Sequence, residues 1–444
     1  MKIALVRGRW HSVWESLACG YLYSYTKALA DEYVFLDGYF ETDEEIISRC
    51  LDADIVGFSG TTSQMSWNIE IASAVKRENP RVWIVMGGYG PSAQPTQWRH
   101  WPIDSVVIGE GESSWSQILQ GRRDEVIFSP PIMDLDSIPF PDRDFIRVER
   151  CIQIAKREEG RRVTSVLGNR GCLRRCKFCL DGTPSRNLPQ PTIYGAKLRE
   201  RSPANIADEM KQVVTAHNIE FLKFADPEVN SRPGRIKELA DELVGRGWST
   251  PWGGNFLVNP FDERDAEMLF KAGCREVWFG LESGSREILK SIGKGTNVAT
   301  TRRAFKAARD AGLRRRAYVL MGTPLETLET IRQTESLIDE VRPDTVSFSV
   351  LAPYPGTEYY DDRKHSALEW HKTDEYSGGV SLCSLSPQEL DHERQRLLNK
   401  YRGDLSLIMK KKVALGVIST DEIPFLLDDD FKIPWQGGTD GLVQ

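Results

Sequence analysis

Short apolar runs alternate with polar, helix-length segments through most of this chain, and the runs tend to end on Gly or Ser. The first five read "KIALVRG", "YVFLDGYF", "ADIVGFSG", "RVWIVMGG" and "DSVVIGEGE". Helical segments separate them at residues 12–31, "ETDEEIISRCLD" and "QMSWNIEIASAVKREN". Strands that alternate with helices bury both faces of a parallel sheet under those helices. Residues 1–125 are therefore expected to form a doubly wound α/β domain. Its ligand should lie beyond the carboxyl ends of the strands.

Residues 126–162 break this rhythm. They contain "SPPIMDLDSIPFPDRDF", rich in Pro and Asp and without a period, which reads as an extended linker. A second series begins near residue 163, with strands at "RRVTSVLG", "IEFLKFAD", "STPWGGNFL", "EVWFGLE", "RRRAYVLMG" and "DTVSFSVL". Six such βα units over residues 163–365 imply a partial barrel, again with its chemistry at the carboxyl ends of the strands. Residues 366–444 are mixed and partly helical. A length of 444 residues suits two or three domains of this kind.

A net charge of -6 gives no electrostatic reason to expect a nucleic-acid partner. The basic runs "RRR" at 314–316 and "KKK" at 410–412 read as solvated faces. No apolar run approaches the roughly 20 residues that cross a bilayer, so no membrane partner is expected. The opening "MKIALVRGRWHS" lacks the apolar core and cleavage site of a signal peptide, which makes the cytoplasm the expected location.

The loop after the first strand of the second series reads "GNRGCLRRCKFCLDGTP", with Cys172, Cys176 and Cys179 in the pattern C-x3-C-x2-C. Eight cysteines in 444 residues are too few for a disulfide scaffold, so these three are expected to be thiolate ligands. Structural zinc usually takes four ligands, often as two C-x2-C pairs. Here no histidine is near, and the nearest further cysteine is Cys151. Three thiolates suit an iron–sulfur cubane with one iron open to a small chelating ligand. Spacing alone leaves zinc as the other reading.

With Phe178 directly before the third cysteine, the loop resembles the signature of the radical S-adenosylmethionine (SAM) superfamily. The resemblance implies a [4Fe-4S] cluster on Cys172, Cys176 and Cys179, its open iron chelated by the amino and carboxylate groups of SAM. It also implies electron transfer that cleaves SAM to a 5′-deoxyadenosyl radical. Other segments agree. "LKFADPEVNS" puts Asp226 and Glu228 at the end of the second strand, where the family holds the methionine amino group. A helix N-cap is the plain alternative for Asp226. "FGLESGS" resembles the family's "GIESGS", with Glu282 and Ser283 facing the cofactor, or with Glu282 in a buried salt bridge. Phe178 and Asn255 complete the expected SAM contacts. "YVLMGTPLET" resembles a "GLPGET" segment, from which Thr323 and Leu325 depart, and "APYPGTEYY" resembles "PYPGT".

The first domain resembles the cobalamin-binding domain of B12-dependent members of that superfamily. The resemblance rests on "VGFSGTTSQM", "VMGGYGPS" and "VVIGEGESS" in that order. It implies cobalamin contacts from Ser59, Gly60, Thr61 and Thr62, from Gly87, Gly88 and Tyr89, and from Gly109, Glu110 and Gly111. Small residues at these turns let backbone approach a large ligand. Many cobalamin domains carry D-x-H-x-x-G after the first strand, and here the loop reads "RGRWHSVW". His11 is in place, but Arg9 replaces the Asp and Trp14 the Gly, so nothing obvious orients the imidazole. His11 is a candidate cobalt ligand or corrin neighbour, with Arg9, Trp10 and Trp14 expected beside it.

The resemblance implies an α/β fold class: an N-terminal Rossmann-like cobalamin-binding domain, a partial (β/α)6 radical SAM barrel and a small, partly helical C-terminal region. It implies a C-methyltransferase that draws on methylcobalamin and a 5′-deoxyadenosyl radical to methylate an unactivated carbon. A small molecule, of the kind made in natural-product biosynthesis, is the expected substrate, and a flavodoxin or ferredoxin the expected reductant. Tyr318 and Tyr354 are the catalytic candidates; Trp252 and Phe256 are expected either to line the pocket or to pack. Two other readings stand. One keeps both cofactors but performs a rearrangement or cyclisation, and the other is a cobalamin or iron–sulfur sensor without turnover.

Overall fold

The computed structural model describes residues 1–10, 13–93, 97–182, 198–376 and 378–401. The chain divides into two compact units. The first gathers Met1–Val148, Phe178–Glu200 and Pro353–Lys372, and the second Glu149–Lys177, Arg201–Ala352 and Thr373–Gln444. No described helix is long and apolar enough to cross a membrane.

Six parallel strands build the first unit: β1 Lys2–Arg7, β2 Glu32–Asp37, β3 Ile55–Ser59, β4 Trp83–Gly87, β5 Ser105–Gly109 and β6 Val126–Ser129. They lie in the order β2-β1-β3-β4-β5-β6. Ile3, Ala4, Leu5 and Val6 are all buried, as a strand covered on both faces requires. On one face the core joins Val6, Leu36, Val56 and Phe58 to Ile46, Ile71 and Val75 from the helices Asp43–Leu51 and Met65–Glu78. The strand order reverses between β1 and β3, so the turns after these two strands open a crevice at their carboxyl ends.

The expected linker is more ordered than its composition suggests. Its first four residues are β6, paired in parallel with β5, and its end forms the helix Val148–Glu159. A four-residue strand is too short to display a period, and its pairing partner is what defines it. Within the Pro-rich stretch, Phe145 stacks on Tyr23 with ring centroids 3.9 Å apart.

The second unit is a curled half-barrel of β7 Val163–Val166, β8 Phe221–Phe224, β9 Trp252–Phe256, β10 Cys274–Glu282, β11 Arg314–Met321 and β12 Thr345–Val350. Its strands pair in chain order, all parallel, as repeated right-handed crossovers dictate. Phe279 on β10 packs on Phe305 of the helix Val298–Asp310, which fixes the helix-facing side of the sheet.

Trp252 and Phe256 lie on that side. Both are buried, and the Trp252 indole N–H donates to the Ala272 carbonyl at 2.8 Å. Neither lines a pocket: strand alternation gives the inner face to Gly253 and Asn255 instead. On that inner face Val163, Phe221 and Trp278 cluster, with Tyr318 packed against them. The helix Pro387–Tyr401 docks through Arg396 and Lys400, each 2.8 Å from Glu335. The remaining C-terminal residues, "KKK" among them, lie outside the described residues.

Candidate functional site

At the carboxyl end of the half-barrel, the loop after β7 carries Cys172 and Cys176. Cys176 is buried and Cys172 half-buried, and neither is in a disulfide. The Arg174 backbone N–H donates to Cys172 Sγ at 3.3 Å. A turn at residues 292–295 braces this loop from outside: the Lys177 N–H donates to the Ile292 carbonyl at 3.0 Å. Gly293 makes the close approach possible, with φ +73° and no Cβ, since one there would lie 2.9 Å from the Arg175 carbonyl.

From the same turn Lys294 reaches Glu282 at the end of β10, forming a buried ion pair of 2.5 Å. Glu282 has φ +62°, and the register of β10 on β11 shifts between Gly280 and Glu282. Burial, joined by the fields of Glu282 and Glu228 and opposed by Lys294, pushes the Cys176 thiol up to about 12. Buried thiols with a backbone N–H on sulfur suit a soft metal cluster, whose charge displaces their protons. Cys179 falls in Phe178–Glu200, within the first unit. Among the described residues no three metal-ligating side chains are gathered in one group, so the fit rests on donor chemistry and spacing.

The acids expected to hold SAM already have work in the structure. Asp226 is fully buried, and its carboxylate accepts from the backbone N–H groups of Gly168, at 2.9 and 3.0 Å, and of Asn169. It thus fastens the start of the cysteine loop and is not a helix N-cap. Burial pushes its carboxyl up to about 7 despite those bonds. Asn255 donates to the Asp226 carbonyl at 3.0 Å. Glu228 lies in the field of Cys172 and Cys176. Glu282 is in the buried salt bridge named above, the plainer of its two expected roles. Ser283 hydrogen-bonds Thr334 at 3.1 Å through their hydroxyls. Tyr318 pairs in register with Gly280 on one side and Ser347 on the other, on the inner face of the half-barrel.

In the first unit the glycine turns meet at the crevice. Gly88 has φ +100°, and a Cβ there would lie 2.8 Å from the Gly60 carbonyl. Gly90 donates to that carbonyl at 3.0 Å, and the Gly60 N–H donates to the Gly87 carbonyl at 3.2 Å. Gln64 accepts from the Thr61 N–H at 2.8 Å and donates to the Gly8 carbonyl at 2.6 Å, joining the turns after β3 and β1. Asn68 stands beneath Gly8 and Gly60, and its Oδ1 is buried with no partner among the described residues. Glycine turns with no side chain over their backbone fit a large ligand that lies against them.

The other expected contacts divide. Ser59 ends β3, and its carbonyl accepts from the Gly8 N–H at 3.3 Å. Thr62 is buried beside it, and the Ser63 and Tyr354 hydroxyls stand 3.4 Å apart. The Tyr89 hydroxyl donates to Asp181 at 2.5 Å. Gly109 has φ +98° and donates to Ser92 Oγ at 3.0 Å, and a Cβ on Gly111 would lie 2.9 Å from Leu22. Glu110 is taken by an ion pair with Arg199 and by the Ile132 N–H. Arg9 is held by the turn after β2, donating to the Gly38 carbonyl at 2.7 Å and pairing with Asp43 at 2.9 Å. Its guanidinium satisfies carbonyls there and lies over Trp67. Trp10 is half-buried and Trp14 exposed, while His11 lies outside the described residues.

Two family descriptions match this architecture: Radical SAM superfamily over residues 166–338 and B12 binding domain over residues 3–119. The chain joins a B12-binding domain to a radical SAM domain, the pairing of the cobalamin-dependent radical SAM enzymes. An uncharacterized methyltransferase of Pyrococcus horikoshii is 28% identical over 351 residues, covering 73% of each chain. An anaerobic magnesium-protoporphyrin IX monomethyl ester cyclase of Rubrivivax gelatinosus is 27% identical over 388 residues, 81% of this chain and 67% of its own. Among solved structures, the radical SAM methyltransferase TsrM of Kitasatospora setae, with cobalamin and [4Fe-4S] cluster bound, has a TM-score of 0.64. It is 19% identical and the match covers 81% of this chain and 73% of that one, so the likeness is one of fold.

Sequence reasoning missed Lys294, Gln64, Asn68 and Asp181 as structural partners of the cobalamin-dependent radical SAM site. Thr61 and Gln64 have capping-box spacing, which was a usable signal. Lys294, flanked by two glycines in "SIGKGTN", was another.

Proposed function

We propose that this enzyme methylates an unactivated carbon of a small molecule, of the kind made in natural-product biosynthesis, by a radical route. The observation that carries the reading is the presence on one chain of two strand-end sites: the cysteine loop after β7 and the glycine crevice at β1 and β3. When bound, the cluster with SAM supplies a hydrogen-abstracting 5′-deoxyadenosyl radical, and cobalamin supplies a transferable methyl group. Cys172, Cys176 and Cys179 would hold the iron. Glu228 presents a carboxylate beside Cys172 and Cys176 for the ammonium of SAM, and Phe178 and Ser283 are further candidate SAM contacts. The side-chain-free turns at Gly60, Gly87 and Gly88 admit the corrinoid. Tyr318, on the inner face of the half-barrel, orients the substrate, Asn255 on the same face contacts SAM, and Tyr354 is the first unit's hydroxyl candidate. A flavodoxin or ferredoxin is the fitting electron donor.

A second reading, cyclisation, draws on the Rubrivivax gelatinosus relative, whose match covers 81% of this chain. Anaerobic assay of the reconstituted full chain with hydroxocobalamin, SAM, reductant and candidate substrates separates the two. Methyl transfer requires S-adenosylhomocysteine and 5′-deoxyadenosine to rise together with methylated product. 5′-Deoxyadenosine without S-adenosylhomocysteine would mean cyclisation or rearrangement. A chain that cleaves no SAM with any substrate would sink both.

A further inference from the structure

Asp181 stands two residues beyond Cys179, and its two carboxylate oxygens take different partners. Oδ1 accepts from the Tyr89 hydroxyl at 2.5 Å, and Oδ2 accepts from the Cys179 thiol at 3.8 Å, all three residues lying within the first unit. Tyr89 opens the short helix Tyr89–Ala93 directly after the Gly87–Gly88 turn. That turn has little slack. A Cβ at Gly88 would lie 2.8 Å from the Gly60 carbonyl, and one at Gly90 would lie 2.6 Å from the Met65 sulfur. Packed turns of this kind shift as units and do not deform continuously. A ligand that settles on the Gly60 and Gly87–Gly88 turns therefore also sets where the Tyr89 hydroxyl stands.

We propose that Tyr89 and Asp181 form a relay that couples a corrinoid in the crevice to the third cluster cysteine. Tyr89 positions Asp181, and Asp181 positions Cys179, so the loaded crevice holds Cys179 ready for iron. Both are positioning residues. The inference rests on the cobalamin reading of the crevice, and its test keeps the two apart. The iron-free full chain is given ferrous iron and sulfide anaerobically, and the iron it takes up is timed with and without hydroxocobalamin. Hydroxocobalamin uptake is measured separately by absorbance after gel filtration.

In the wild type, hydroxocobalamin speeds iron loading about fivefold, the lower end of coupling and the scale of one hydrogen bond. In Asp181→Ala the ratio falls to about one while hydroxocobalamin still binds. Tyr89→Phe, which deletes a single oxygen, gives the same loss and carries the test alone if the Asp181 variant fails to fold. A variant that keeps the wild-type ratio overturns the relay. So does a wild type that binds hydroxocobalamin without speeding iron loading. A wild type that binds iron but no hydroxocobalamin overturns the crevice reading instead.

Discussion

Lys294→Met deletes the ammonium that stands 2.5 Å from Glu282, and keeps most of the side chain's length. The two side chains are only 13% and 9% exposed, so water cannot replace the lost partner. Burial alone would pull the Lys294 ammonium's pKa down; Glu282, with Cys176 and Glu228, holds it above the usual lysine value instead. A buried carboxylate stripped of its partner costs about 3–5 kcal/mol. Glu282 also sits at φ +62°, a left-handed conformation that costs a non-glycine residue roughly 1–2 kcal/mol. Against a domain stability of about 5–15 kcal/mol, the single substitution leaves the half-barrel marginal. Lys294→Met with Glu282→Gln removes both charges, and most of the loss should return, a recovery of at least about 2 kcal/mol relative to Lys294→Met. Urea unfolding of the iron-free full chain, followed by tryptophan fluorescence at neutral pH, measures both. A single-variant loss below about 1 kcal/mol, or a double variant that loses the sum of both singles, would refute the reasoning.

Glu326 is buried, with Oε1 accepting from the Thr330 hydroxyl at 2.9 Å and Oε2 without a partner among the described residues. Burial pushes its carboxyl from 4.5 up to about 7. A raised acid favours the folded state while protonated, so its contribution is full below pH 4.5 and is lost as the pH climbs towards 7. Glu326→Gln should remove up to about 3 kcal/mol of that decline, leaving the part due to Asp226; parallel melting-temperature profiles for the two proteins would count against it. At Gly284 a Cβ would lie 2.2 Å from the Gln333 carbonyl and 2.7 Å from Thr334 Cα, both backbone. Gly284→Ala should cost about 3 kcal/mol, and a calorimetric melt like the wild type's would contradict this. Gly88→Ala should abolish hydroxocobalamin uptake, because its clash with Gly60 lies in the crevice; undiminished uptake on gel filtration would remove Gly88 from the cradle.

The two sheets were legible because their strands are near-continuous apolar runs closed by small residues, which only a covered parallel sheet buries. β6 was not, since "VIF" carries no period and depends on β5 for its identity. The grouping of Phe178–Glu200 and Pro353–Lys372 with the first unit was equally hidden, because it arises from contacts remote in sequence. The cysteines announced themselves by spacing, while the acids around them did not reveal their partners. Asp226 is spent on backbone N–H groups nearly sixty residues earlier, and Lys294 meets Glu282 twelve residues on, across a turn and a helix. In "WGGNF" two glycines erase the alternation that would have assigned Trp252 and Asn255 to opposite faces.

The segment "GLESGS" illustrates why a motif match and a ligand contact are separate claims. Each residue there has a reason to be what it is before any ligand arrives. A side chain at Gly280 would place its Cβ 1.9 Å from Lys294 Nζ, so glycine makes room for the ion pair. Ser283 and Gly284 fasten to Thr334, through its hydroxyl at 3.1 and 2.9 Å, and Gly284 leaves no space for a side chain against Gln333. Glu282 alone is strained, and it sits where the strand register slips. Strain of this kind persists only where its surroundings over-determine it, and here the ion pair and the flanking anchors do so. The segment therefore acts first as a fixed ledge that holds Lys294 and Glu282 beside Cys176. Any ligand that adds charge at that cysteine meets a carboxylate and an ammonium already locked in place, which spares the reorganisation that a mobile pair would undergo.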